Sequence, residues 1–292
     1  MLIFFILRGL RYSISKHSIF TLFQDRKNRF YRKLIHNIAS KLDNKDFSDC
    51  FYLEKLLDGY QILLNNNPFK TPSGKNFKFP LRKHNLAHSL LSECRTSSSN
   101  FFEYHSLPLV SLSSRAIDVF SEKKYREKAS NGLLKYLDTD TVLSFAPKNE
   151  SGGDLLILQK KMWEPLHEWA QKYWNVEILK TNNDFGIIMN PQPEKTKKLI
   201  KEWVCNLDQW QFAALERAIC LSKSFIIGAK MVATANSPSI ERLDAEKAFN
   251  LAQLEILFEI ERWGKIDDTH DVEEKDIKRL LETVCTMLKD QE

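Results

Sequence analysis

Apolar residues alternate in one short stretch near the front of the chain and recur at helical spacing through most of the remainder. Tyr60, Ile62 and Leu64 alternate with polar positions. After the turn Asn65-Asn66-Asn67-Pro68 the alternation resumes at Phe69 and Thr71, and after Pro72-Ser73-Gly74 it resumes again at Phe77 and Phe79. This is the pattern of three short antiparallel strands joined by tight turns. Lys83 to Glu93 then puts Leu86, Leu90 and Leu91 on one helical face, and the polar run Thr96 to Asn100 breaks it. A sheet this small has little stability of its own and is expected to lean on the helices C-terminal to it. Asn28 to Ser48 is basic and weakly patterned, with room for one strand.

Pro108 opens a helical region, with Leu112, Ala116, Ile117 and Phe120 as an inner stripe. Leu133, Leu134 and Leu137 form the face of a further helix that stops at Asp138-Thr139-Asp140, and Val142 to Phe145 reads as extended. Asp154 to Trp174 is a long amphipathic helix whose internal Pro165 predicts a kink near Trp163 or a break. Helices are also predicted over Glu194 to Val204 and over Asp208 to Ala235, the latter as two that meet near Ser222. There Gly228 and Ala229 suit a close crossing. Leu254, Leu257, Phe258, Ile260 and Trp263 fill so much of the next helix that it is expected to sit at a core, with Glu255, Glu259 and Arg262 on one charged stripe. Gly264 ends it, and after an acid-rich linker Asp271 is placed to cap a last helix, with Glu274 completing a capping box. The fold class is therefore α+β: a small antiparallel β-rich N-terminal domain, residues 28–107, then a larger α-helical bundle domain, residues 108–292.

The net charge of +5 invites a nucleic-acid reading, which the distribution of charge removes. Through Lys33 the chain carries eight basic residues against the single acid Asp25, which leaves 35 basic and 37 acidic residues beyond it, a net of −2. The leader interleaves Ser, Arg and apolar residues, the composition of a mitochondrial transit peptide, here assigned to residues 1–27. A secretory signal fits less well, because the basic residues follow the apolar run Met1 to Leu7 and no A-x-A site is present. No run of apolar residues is long enough for a membrane span. The five cysteines lie far apart with no C-x-x-C pair, so neither a zinc site nor a disulfide framework is indicated.

Candidate chemistry is sparse. Asp267, Asp268 and Asp271 beside His270 could offer ligands to a divalent ion, and with Glu255 they define an alternative reading as a metal-dependent hydrolase using Glu255, His270 and Asp271. The plainer reading is a solvated linker and an ion-paired helix edge. No nucleophile elbow, phosphate-binding loop or dinucleotide fingerprint occurs. Six tryptophans lie in the helical part, as core contacts or as anchors for a partner protein.

Six stretches in order carry a wider likeness: EYHSLPLVSL (Glu103 to Leu112), LLKYLDTDTV (Leu133 to Val142), LQKKMWEPLHEWAQKYWNVEI (Leu158 to Ile178), LDQWQFAALE (Leu207 to Glu216), LSKSFIIG (Leu221 to Gly228) and LEILFEIERWGKIDDTHDVE (Leu254 to Glu273). With their spacing retained from about Asp58 onward, the chain resembles the chaperones that assemble the catalytic head of mitochondrial ATP synthase, the F1-ATPase assembly factor two (ATP-twelve) family. It departs from the family pattern at Gln253, Glu259 and Cys94, and matches it poorly over Leu34 to Phe51. The resemblance implies a chaperone and no enzyme, needing no cofactor, that binds the free α subunit of the F1-ATPase as a monomer. It would act in the mitochondrial matrix, with a peripheral position at the inner membrane as an alternative. The family's acidic position before Trp-Gly falls at Glu255, so the resemblance implies a partner-binding surface of Glu255, Glu259, Arg262, Trp263, His270 and Asp271.

Overall fold

The computed structural model describes residues 50–96, 106–148, 153–182, 191–237, 240–264 and 270–290, with the side chains of His270 and Asp271 outside that description. The leader, the segment Asn28 to Ser48 and the linker acids Asp267 and Asp268 also lie outside it. Strand β1 (Phe51–Lys55) pairs antiparallel with β2 (Gly59–Leu64), with Phe51 opposite Leu64 and Lys55 opposite Tyr60. On its other side β2 pairs with the two-residue β3 (Asn67–Pro68) and with β4 (Lys78–Pro80), again antiparallel. Asn65 and Asn66 both take left-handed backbone angles, φ 50° and 63°, which is why a pair of asparagines can close the β2–β3 hairpin.

One face of this sheet is aromatic. Phe69 stands edge-on to Phe51 at 5.3 Å and stacks on Phe77 at 4.9 Å, while Phe79 stacks on Trp210 at 5.4 Å. Trp210 belongs to the helical part, so the aromatic row runs into a core shared by sheet and helices. Helix α1 (His84–Thr96) covers the sheet with Leu86, Leu90 and Leu91, the face expected from their spacing. Its Glu93 accepts from the backbone N–H groups of Leu109 and Val110 at 3.0 and 2.7 Å, thereby capping α2 (Pro108–Asp118) from outside. Burial pushes the Glu93 carboxyl above its usual range despite those donors.

Two helices, α3 (Lys123–Leu133) and α4 (Lys135–Asp138), stand where the pattern predicts one. The expected extended run Val142 to Phe145 is a 3-10 turn, Thr141–Leu143, followed by β5 (Ser144–Phe145), which pairs parallel with β6 (Thr181–Asn182). Helix α5 (Asp154–Trp174) continues through Pro165 without a break. After α6 (Glu194–Asn206), α7 (Gln209–Ser222) begins at a capping box made by Asp208 and Gln211, and α8 (Phe225–Thr234) comes after Lys223 and Ser224. A Cβ at Gly228 would stand 2.8 Å from Ile219 Cγ1, so α7 and α8 cross at the close approach its sequence suggests. The last three helices are α9 (Ala245–Ala252), α10 (Leu254–Trp263) and α11 (His270–Leu288). Lys83, 1% exposed, donates to the carbonyls of Met287 and Leu288 at 2.7 and 3.3 Å and pairs with Asp290 at 2.6 Å, tying the end of the sheet to the end of α11.

A buried polar chain crosses the middle of the helical part. Asp140 accepts from the N–H groups of Val142 and Ile226 at 3.2 and 3.0 Å, so it caps the 3-10 turn and the start of α8 together. His167 Nε2 donates to the carbonyl of Val142 at 2.7 Å, which assigns the Nε2–H tautomer, and Nδ1 has no partner among the described residues. Burial raises the Asp140 carboxyl to about 6, outweighing its donors, and lowers the His167 imidazole to about 4.

Candidate partner-binding site

Helix α10 is not a core helix. Only Leu254 is buried on it, while Ile256 is 47% and Trp263 85% exposed. The expectation that so apolar a helix lies inside fails because Leu254 alone is enclosed by the rest of the chain. At 100° per residue its side chains divide into three sectors. Leu254 points at the core. Glu255 and Arg262, 20° apart on the helical wheel, turn toward α5, where Gln159 Nε2 donates to Glu255 Oε1 at 2.7 Å and Arg262 pairs with Asp154 at 2.6 Å. Gln159 is fully buried, and its own Oε1 accepts from the N–H of Ala146 at 2.8 Å, so Glu255 ends a short relay from the interior. Arg262 also lies over the Phe258 ring at 4.7 Å.

The third sector, Ile256, Leu257, Glu259, Ile260 and Trp263, faces α11 across a groove of about 360 Å³. Phe249 also lines it, and Glu273, Glu274 and Ile277 of α11 form the opposite wall. Gly264, at φ +84°, bends the chain out of the helix while its N–H is bonded to the carbonyl of Ile260 at 2.9 Å. Glu274 pairs with Lys278 at 2.9 Å.

The six residues expected to form one surface are therefore divided. Glu259 and Trp263 line the groove; Glu255 and Arg262 lie on the α5 side. His270 begins α11 and Asp271 is its second residue, two positions past the cap rather than at it as expected. Ile256, Ile260, Phe249, Ile277 and Glu273 line the groove, although the sequence pattern does not single them out as contact residues. The available signal is the excess of apolar residues on α10, more than a helix with one buried side requires. No group of three or more His, Cys, Asp or Glu among the described residues could hold a metal ion.

A model of the family described as ATP12 chaperone protein matches residues 41–171. The chain is similar to the mitochondrial protein atp12 of Schizosaccharomyces pombe, 34% identical over 252 residues, which covers 86% of this chain and 80% of the yeast protein. The chain belongs to the ATP12 chaperone family. This ATP12 family member is also 31% identical over 249 residues to mitochondrial ATP12 of Saccharomyces cerevisiae, covering 77% of each chain. The crystal structure of Atp12 from Paracoccus denitrificans superposes with a TM-score of 0.67 at 22% identity, over 82% of this chain and 94% of that one, so the α+β fold is shared. As a member of a chaperone family the protein is not an enzyme, and the hydrolase reading of Glu255, His270 and Asp271 is set aside. Among the described residues no helix is long and apolar enough to cross a membrane.

Proposed function

We propose that this ATP12 family member is the chaperone that holds the free α subunit of the mitochondrial F1-ATPase in the matrix until the β subunit replaces it. The observation that carries the reading is the outer side of α10, where Ile256 and Trp263 remain exposed beside an apolar groove in a helix of otherwise core-like composition. An orphan subunit exposes the surface meant for its mate, and an apolar surface of that kind aggregates unless covered. Covering it with a displaceable partner needs no nucleotide, because the handover can run on a difference in affinity. The chaperone acts as a monomer, with the transit peptide removed.

Glu255, Glu259, Arg262, Trp263, His270 and Asp271 form the proposed contact region, with the groove side of α10 as its apolar part. Co-purification of the mature protein with tagged α subunit, against tagged β as control, tests the reading: capture of α alone supports it, and a folded chaperone that captures neither refutes it. Glu255→Lys is expected to weaken capture, but it also leaves the Gln159 amide without its acceptor. Thermal melting of that variant must therefore accompany the binding assay, and undiminished capture by the folded variant removes Glu255 from the contact.

A further inference from the structure

The groove between α10 and α11 has a chemistry that narrows what can sit in it. Its floor is Phe249, Leu257, Ile260 and Ile277, and about 360 Å³ is room for a few aliphatic side chains rather than for a whole helix. Glu259 on one wall and Glu273 on the other are exposed and make no ion pair among the described residues. Of the basic groups on these two helices, Arg262 is paired with Asp154, and Lys278 is paired with Glu274 and lies over the Phe249 ring at 4.7 Å. Trp263 stands at the mouth with an open ring face, which attracts a guanidinium or ammonium as well as apolar carbon.

Resting on the proposed capture of the α subunit, we infer that this groove takes an apolar segment of that subunit whose margins carry Arg or Lys, with Trp263 against the segment and Glu259 and Glu273 flanking it. An acidic segment would bring like charges onto both walls. A second copy of this chain docking groove to groove would do the same, so the site selects a foreign basic-edged partner over itself. Two or three apolar anchors in the groove with cations at its rim describe a short helical turn or loop rather than a continuous strand, since no sheet edge borders the groove among the described residues.

Binding of tagged free α subunit to the full mature chain, measured at low and high salt, tests this with two variants. Trp263→Ser removes an exposed ring and should leave the melting temperature unchanged while weakening capture by roughly tenfold or more. The double charge reversal Glu259→Lys, Glu273→Lys alters two exposed, unpaired groups. It should weaken capture by roughly tenfold at low salt and flatten the salt dependence shown by the unaltered protein. If the unaltered chain captures α and both variants bind as tightly, the groove is overturned while the chaperone reading stands. If only Trp263→Ser weakens capture, with salt dependence unchanged in the charge reversal, the basic margin is overturned. A folded unaltered chain that captures no α subunit overturns both readings.

Discussion

Acid should act on this protein through two buried groups whose effects oppose each other. His167 titrates at about 4 in the folded chain against 6.5 when free. Between those values the unfolded chain binds a proton that the folded chain excludes. Its contribution to stability is fully present above pH 6.5 and is lost as the pH falls to 4, by about 3 kcal/mol. Asp140 titrates at about 6 against 3.8 when free. Here the folded chain binds the proton that the unfolded chain has already lost, so stability grows as the pH falls from 6 to 3.8, again by about 3 kcal/mol. Between pH 6 and 4 the two nearly cancel. Asp140→Asn removes the gain and should lose about 2–3 kcal/mol more than the parent on going from pH 6.5 to 4.5. His167→Gln, whose amide retains a donor for the Val142 carbonyl, removes the loss and should move the opposite way by a similar amount. Each substitution lowers the neutral-pH baseline, so the slope is the readout. Urea unfolding monitored by tryptophan fluorescence across that range measures it, and other titrating groups shift all three proteins alike. Parallel curves for parent and both variants would falsify the assignment of burial as the dominant influence on both groups.

Two further substitutions test packing at long range. Gly228→Val places carbon within 2.8 Å of Ile219 Cγ1 and 3.2 Å of Ile219 N, so α7 and α8 must separate. The cost should be about 1–3 kcal/mol, read as a lower melting temperature, and an unchanged one would contradict the close crossing. Lys83→Met keeps the aliphatic stem but removes the cap on Met287 and Leu288 and the partner of Asp290. Stability should fall by about 2–4 kcal/mol, with faster hydrogen exchange in the last turn of α11, and unaltered exchange there would sink the capping role.

Features with a local cause are the ones legible in the sequence. The Asn65-Asn66 turn, Pro108 at the first turn of α2, the stop at Gly264 and the small residue at the α7–α8 crossing each depend on a few neighbouring residues, and all are where the sequence places them. Features with distant partners are not. Strand β1 escapes notice because two of its five residues, Glu54 and Lys55, are exposed, and the two-residue β5–β6 pair joins segments more than 35 residues apart. Asp140 reads as a helix stop among polar residues; that it is buried follows only from α8 arriving to use its carboxylate.

Helix α10 shows why the candidate site is only half legible. An apolar helix buried in its own chain and one destined for burial in a partner obey the same transfer energetics, so composition cannot separate them. The separation comes from where the polar groups of the helix are satisfied. Glu255 and Arg262 remain exposed but find polar partners on α5, so the charges of that edge are already satisfied within the chain. On the other side Ile256 and Trp263 keep contact with water that folding did not remove, while Glu259 beside them is left unpaired among the described residues. Fully burying a side chain of this size is worth about 1.5–3 kcal/mol, so the two exposed residues represent several kcal/mol that the fold leaves unrealised. A sequence selected only for its own stability would replace them with polar residues at no cost to the core. Their presence next to a formed groove is what the proposed capture of a partner subunit would use.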